Sequence, residues 1–388
     1  MNTSVSSISW SFPHCPEETN WSINWSALES EFDWLSALAD CPQDPRYHAE
    51  GNVLIHTRLV CKALVDLPQW RSRSGCFAAS LPPKERSVLF AAALLHDVAK
   101  PAATQIEEDG AISSKGHVLQ GAKMAQEILW NLNVPLRERE AIVALVKFGS
   151  LPLWFWDKPN PELSVIKVSQ IIRCDMLAML AEADVRGRYC NDQVQLFERI
   201  EFFREFCQEN MCLEHPRLFS SAHSRFVYFQ KENSYPDYDA YDDTRFQVVL
   251  MSGLPGSGKD TWIQENLVDS QVISLDELRK TMGVDPEDDQ GVVANQAKAI
   301  AKEYLRSGQS FVWNATNLSR QLRGMLIRLF SSYQARVRIV YLEAPWDELL
   351  HRNRVRNAVV PEKVLYRMRN RLEVPNIIEA QQVDWVNL

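Results

Sequence analysis

The sequence predicts a multidomain α and α/β chain, with an all-α N-terminal half and a C-terminal half built on a parallel sheet covered by helices on both faces. Three observations carry this. At 388 residues the chain is too long for one ordinary core. Up to about residue 207 apolar residues recur at helical spacing, whereas beyond 245 short β-rich runs alternate with helical patterns. Between them the periodicity fades into a stretch rich in Tyr, Asp, Ser and Pro, as in Asn233-Ser-Tyr-Pro-Asp-Tyr-Asp-Ala-Tyr-Asp-Asp243.

In chain order, residues 1–44 carry Trp10, Trp21, Trp25 and Trp34 and read as a packing arm, because tryptophan is mostly buried. Residues 45–207 form the helical domain, with helices expected over 52–67, 85–100, 117–132, 136–148, 163–183 and 192–207. Residues 208–244 are a connector whose Tyr228, Tyr235, Tyr238 and Tyr241 suggest packing against a domain, since free linkers are poor in aromatics. Residues 245–388 form the α/β domain, with strands expected at 246–252, 271–274, 311–314 and 336–342.

Composition narrows the class. No apolar run approaches the ~20 residues of a membrane span, and the N-terminus lacks the basic-then-apolar order of a signal peptide, so a cytoplasmic enzyme without a membrane partner is expected. The eight cysteines (15, 41, 61, 76, 174, 190, 207, 212) contain no Cys-x-x-Cys pair, which argues against a zinc ribbon or disulfide framework and for buried thiols. A net charge of −8 disfavours an overall electrostatic grip on nucleic acid, so such contact must come from a local basic patch.

Residues 246–262, Phe-Gln-Val-Val-Leu-Met-Ser-Gly-Leu-Pro-Gly-Ser-Gly-Lys-Asp-Thr-Trp, run from a hydrophobic strand through a glycine loop into a helix. Gly253, Gly256 and Gly258 let the backbone curl so that consecutive N–H groups, those of Ser257 to Thr261 among them, face the phosphates of ATP or another NTP. Lys259 reaches the outer phosphates, and Asp260 stands where Ser or Thr commonly holds Mg²⁺, with Thr261 after it. The Gly-Lys-x-Thr ending resembles adenylate-kinase-like enzymes, which implies a kinase.

In the first half, His96-Asp97 ends a very apolar helix, Val88-Leu-Phe-Ala-Ala-Ala-Leu-Leu95, where an adjacent imidazole and carboxylate are costly unless they bind something. His56 lies on another apolar helix, His117 in Lys-Gly-His-Val-Leu-Gln-Gly-Ala, and Asp184 in Glu182-Ala-Asp-Val-Arg-Gly-Arg188. This donor mix suits a divalent transition metal (Mn, Ni, Co, Cu or Zn) or Mg²⁺. The ordered set resembles the HD phosphohydrolase superfamily over residues 45–207, and is most similar to the HD domains of bacterial tRNA nucleotidyltransferases, which act as 2′,3′-phosphoesterases. The resemblance implies that His56, His96, Asp97 and Asp184 ligate the metal, and that His117 holds a second metal or the phosphate. Asp175 is an alternative closing ligand, and Lys100 a candidate phosphate contact.

Val272-Ile-Ser-Leu-Asp-Glu-Leu-Arg279 delivers Asp276 to the C-terminal edge of the sheet, where it can accept the proton of an attacking hydroxyl. Arg279, one helical turn on, suits a phosphate already on the acceptor. With the Gly-Leu-Pro-Gly-Ser-Gly-Lys loop, this Asp-x-x-Arg resembles phage and bacterial 5′-OH polynucleotide kinases across 245–388. Asn314-Ala-Thr-Asn-Leu318 is similar to their Asp-x-Thr-Asn-Leu element, with Asn replacing the carboxylate. His351-Arg-Asn-Arg-Val-Arg356 resembles their lid, which implies that Arg352 and Arg356 clamp ATP phosphates. Arg352, Arg354, Arg356, Lys363, Arg367, Arg369 and Arg371 form a run poor in acids, available either to a polynucleotide or as a solvated helix face.

The order of the halves resembles the bacterial HD-Pnk end-healing enzymes. That implies a 5′-OH kinase plus a metal-dependent phosphoesterase for 2′,3′-cyclic phosphate and 2′-phosphate ends, acting on RNA or DNA and cooperating with a separate polynucleotide ligase. A small-molecule or nucleoside kinase fused to an HD nucleotidase is the alternative, and a nucleotide-sensing module with degenerate sites a third reading. Oligomeric state is left open.

Overall fold

The computed structural model describes residues 10–71, 81–231, 234–285, 288, 290–356 and 359–388. Residues 1–9 of the arm, Cys76 and Asn233 lie outside the described residues. The chain divides into two compact units, Met1–Arg217 and Leu218–Leu388. The division falls ten residues beyond the expected end of the helical domain (217 against 207), and 218–244 go with the α/β unit.

Among the described residues, the first unit is helical apart from a two-stranded antiparallel hairpin, β1 (Gln105–Ile106) and β2 (Ile112–Ser113). Its principal helices are Val53–Asp66, Pro83–Leu95, His117–Asn131, Leu136–Phe148, Cys174–Arg186 and Gln193–Glu209. They enclose one apolar core in which Leu64, Phe90, Leu94, Ile142, Leu177 and Ile200 are fully buried. Residues of the N-terminal arm belong to that core: Phe12, Leu28, Phe32 and Leu35 are buried in it. Trp21 and Trp25 lie half-buried beneath the guanidinium groups of Arg86 and Arg58, at 5.2 and 5.5 Å.

Two helix expectations are corrected. The stretch 163–183 is two helices, Pro161–Ser169 and Cys174–Arg186. Ile171 and Ile172 keep the apolar spacing, but Arg173 is extended (φ −62°, ψ 129°), with its guanidinium held by Glu85 and Asp175. The helix expected over 85–100 stops at Leu95, so that His96 and Asp97 stand in a turn before a short helix, Lys100–Ala103.

The second unit carries a five-stranded, wholly parallel sheet in the order β4-β5-β3-β6-β7: β3 (Phe246–Ser252), β4 (Gln271–Ser274), β5 (Phe311–Asn314), β6 (Ala335–Glu343) and β7 (Gln382–Asn387). Alternate residues of the central strand enter opposite cores. Val248 and Leu250 pack with Phe311, Trp313 and Phe330, while Val249 and Met251 pack with Ile263, Val312 and Val340. Both faces are therefore covered, as a near-continuous apolar strand requires. Sequence reading missed β7, a half-buried edge strand with a weak pattern.

The connector also holds a helix where no helical periodicity was expected, Ala222–Gln230. Ser221 caps it by accepting the Ser224 N–H, and Phe226 and Tyr228 are buried.

A buried ion pair fixes the loop after β5. Arg323 is fully buried, its guanidinium meeting both oxygens of Glu379 at 2.8 and 3.0 Å and donating to the carbonyls of Asn317 and Leu318. Such a pair favours one loop conformation more than it adds net stability.

Candidate active sites

In the helical unit, His56, His96, Asp97, His117 and Asp184 converge. His56 is fully buried, with Nε2 3.0 Å from Asp184 Oδ1 and 3.9 Å from Asp97 Oδ2. His96 Nδ1 is fixed 2.8 Å from the Ala93 carbonyl, which turns Nε2 to within 3.2 Å of Asp97 Oδ2. His117 Nδ1 is 2.6 Å from the Ser114 carbonyl, leaving Nε2 3.7 Å from Asp97 Oδ1. Of the two alternatives for the closing position, the fold brings Asp184 to this group. Asp175 is instead tied to Arg173.

Burial alone would raise the pKa of Asp97, but Lys100, His96 and His56 outweigh it and hold the carboxyl well below the usual range. For Asp184, Arg188 and His56 likewise outweigh burial. Lys100 Nζ lies 2.8 Å from Asp97 Oδ2, and Arg188 donates to both oxygens of Asp184. These groups line a cavity of about 490 Å³, with His48 and the half-exposed Trp154 at its wall.

The donor set fits a divalent transition cation. Two imidazoles and a carboxylate, from His56, His96 and Asp97, lie within 4.8 Å of one another with the Asp184 carboxylate 3.0 Å from His56, and His96 Nε2 and Asp97 Oδ2 are buried without hydrogen-bond geometry. His56, His96, Asp97 and Asp184 are the residues that would hold such an ion.

Sequence reading missed Glu50. Its Oε1 is 2.9 Å from His56 Nδ1 and 2.8 Å from His48 Nδ1, and its Oε2 accepts the Tyr189 N–H. A carboxylate on the far nitrogen orients an imidazole toward a metal and raises its basicity. Glu50 lies in a loop just before the helix, where no periodicity marks it.

In the α/β unit, the loop after β3 has Gly253, Gly256 and Gly258 at φ of 143°, 81° and 85°. A Cβ on Gly253 would stand 2.5 Å from the Leu342 carbonyl oxygen, so this position admits only glycine. The stretch after β5 braces the loop: Gly253 N–H donates to the Thr316 carbonyl, and the Asn317 amide donates to the Met251 carbonyl at 2.6 Å. Lys259 opens the helix Lys259–Asn266, and its ammonium donates to the Gly253 and Leu254 carbonyls. Burial pushes it down to about 8, with Asp260 and Asp276 opposing and Arg356 assisting.

Asp260, at the position usual for a magnesium-binding hydroxyl, accepts a 2.6 Å hydrogen bond from Asn314 Nδ2. The two departures from the common pattern are thus partners. An oxygen-rich pair of this kind fits Mg²⁺. Asp276 is exposed at the start of Leu275–Met282 and pairs with Arg279 at 2.7 Å, so the two do face the same way. Arg352 lies over the glycine loop, near Gly256 and Gly258, and is paired with Glu348.

The basic run is smaller than its sequence suggests. Arg369 is buried, stacked 4.3 Å over Trp346, and Arg354 pairs with Glu362. Lys363, Arg367 and Arg371 remain exposed.

With this geometry in hand, comparison with known proteins gives two domain matches. Residues 55–174 match the HD domain, and residues 248–375 match an AAA domain. The chain is 24% identical over 135 residues to an L-seryl-tRNA(Sec) kinase of Methanococcus maripaludis, covering 33% of this chain and 53% of that one. It is 25% identical over 173 residues to a bifunctional polynucleotide phosphatase/kinase of Schizosaccharomyces pombe, covering 42% and 39%. The chain thus spans about half or less of these relatives. A gluconokinase structure from Sinorhizobium meliloti 1021 aligns with 37% of this chain and 83% of its own at 21% identity and a TM-score of 0.28. The chain therefore joins a helical region that matches the HD domain to a parallel-sheet region with a glycine loop that matches an AAA domain.

Two outcomes follow. Glu50→Gln should weaken metal binding at the His56 site by ~10–100-fold, measured by calorimetric titration with Mn²⁺; an unchanged affinity would mean that Glu50 does not act through His56. Phosphates should restore Lys259 to its charged form, so nucleotide binding at about pH 8.5 should take up a proton and weaken as pH rises through that range. Titration calorimetry in buffers of different ionisation enthalpy reads the uptake directly. Equal heats in all buffers would contradict it.

Proposed function

We propose that this chain heals nucleic-acid ends, transferring the γ-phosphate of ATP to a 5′-OH in one unit and hydrolysing a 2′,3′-cyclic phosphate or 2′-phosphate in the other. The observation that carries the reading is one chain with two phosphate-ester sites of different chemistry, the kinase-like one holding a paired Asp276 and Arg279 on its acceptor side. The similarity to an L-seryl-tRNA(Sec) kinase and to a bifunctional polynucleotide phosphatase/kinase also supports an acceptor carried on a nucleic acid.

In the kinase unit the glycine loop and Lys259 hold the ATP phosphates. Asp276 takes the proton of the 5′-hydroxyl as its oxygen bonds to the γ-phosphorus and the bond to ADP breaks. Arg279 binds the phosphate next to that hydroxyl, and Arg352 and Arg356 meet the charge that spreads over the transferring group. Asp260, with Asn314, would hold Mg²⁺, which when bound would supply further neutralisation of the phosphate charge.

In the helical unit, His56, His96, Asp97 and Asp184 would hold a divalent cation, which when bound would supply Lewis-acid polarisation of the ester and a lowered water pKa. Glu50 and the Ala93 carbonyl hold His56 and His96 in register, Lys100 and Arg188 flank the place of the phosphate, and His117 stands at its open side. A separate polynucleotide ligase would then seal the healed ends.

Independent sites make a sharp expectation. Asp276→Ala should lower 5′-end labelling of an RNA strand by ~10²–10⁴-fold while the opening of a 2′,3′-cyclic phosphate on the same strand is unchanged, and Asp97→Ala should do the reverse. Loss of both activities in either folded variant would refute the two-site reading.

A further inference from the structure

Outside both sites, three thiols meet in the core of the helical unit. Cys174, Cys207 and Cys212 are buried at 0%, 0% and 1% exposure, and their sulfur atoms all lie within 4.8 Å of one another. They come from a helix N-terminus, a helix C-terminus and the loop beyond it, so the grouping is made by the fold and not by sequence spacing.

The backbone that makes it is unusual. The helix Gln193–Glu209 ends in a turn in which the Cys212 N–H donates to the Cys207 carbonyl at 2.8 Å and the Met211 N–H donates to the Gln208 carbonyl. That closure needs a left-handed residue, usually glycine, yet Met211 takes it at φ 50°. The turn lays Cys212 against Cys207. The Asp175 N–H then donates to the Leu213 carbonyl at 2.9 Å, which sets Cys174 beside them.

Cys174 is the first residue of the helix Cys174–Arg186, where the dipole is positive, and the guanidinium of buried Arg217 donates at 3.0 Å to the carbonyl of Asn210, in the turn that leads to Cys212. Ser169, also buried, stands beside Cys212, donates its hydroxyl to the Ile166 carbonyl at 2.7 Å and accepts the Arg217 N–H at 3.2 Å.

We propose that Cys174, Cys207 and Cys212 form a structural zinc site, with the Ser169 hydroxyl in the fourth position. Three thiolates suit a soft d¹⁰ cation. Zn²⁺ is the soft cation that closed structural sites hold with four tetrahedral donors, which three thiolates and one oxygen supply. Binding releases the three thiol protons to solvent and involves no redox change.

The test separates this site from the His56 site, which has imidazole and carboxylate donors only. Full-length protein, stripped with chelator under reducing conditions and titrated with Co²⁺, should show thiolate-to-cobalt charge-transfer absorption at one equivalent per chain. Cys207→Ser should abolish it, whereas Cys190→Ser, in the cavity beside the His56 site, should leave it intact. Because Cys207→Ser can also disturb the core, wild-type protein should in parallel contain zinc as purified, released in step with three thiols when titrated with a mercurial. No charge-transfer band, copper in place of zinc, or an intact mass showing an oxidised cysteine pair would each overturn the assignment.

Discussion

The cost of burying Asp97 organises the helical unit. This carboxylate is 4% exposed at the end of a helix whose residues from Val88 to Leu95 are buried without exception. An unpaired charge there would be prohibitive. The fold answers with an ammonium from Lys100, imidazoles from His56, His96 and His117, and, one position further out, the Asp184 and Arg188 pair. Each partner arrives on a different element, so the helices must pack in one register for the charges to balance. The same arrangement, built to satisfy a buried charge, leaves donors converging on one pocket.

The α/β unit solves a related problem with backbone. Its glycine loop presents N–H groups at a helix N-terminus, and what keeps the loop open is a set of contacts from the next strand end: Thr316 and Asn317 to the loop and its strand, and Arg323 with Glu379 beneath. Lys259 sits in that cradle with its charge weakened by burial, ready to be stabilised by an anion. Asp260 and Asn314 depart from the common pattern together and contact each other.

Much of this was legible in the sequence, because the informative residues sit on strongly periodic elements or in a glycine loop with few conformations. His56, His96 and Asp97 interrupt apolar helices and were conspicuous for that reason. Glu50 was invisible, since a loop carboxylate has no period and its role depends on contact with a histidine on the next helix. Arg369 and Arg354 were misread as free charges, because spacing does not show which cation stacks on Trp346 or meets Glu362. The cysteine group was hidden for a third reason: residues 174 and 207 are joined only by tertiary packing.

The central claim is that the phosphoryl acceptor is a polynucleotide end. The most direct measurement is kcat/KM of the kinase for a nucleoside and for 5′-OH oligonucleotides of increasing length, with γ-labelled ATP and Mg²⁺. kcat/KM should rise steeply once the acceptor carries a 3′-phosphodiester for Arg279, and then reach a plateau. Equal or better transfer to nucleosides or small alcohols would contradict it and would make this a metabolite kinase.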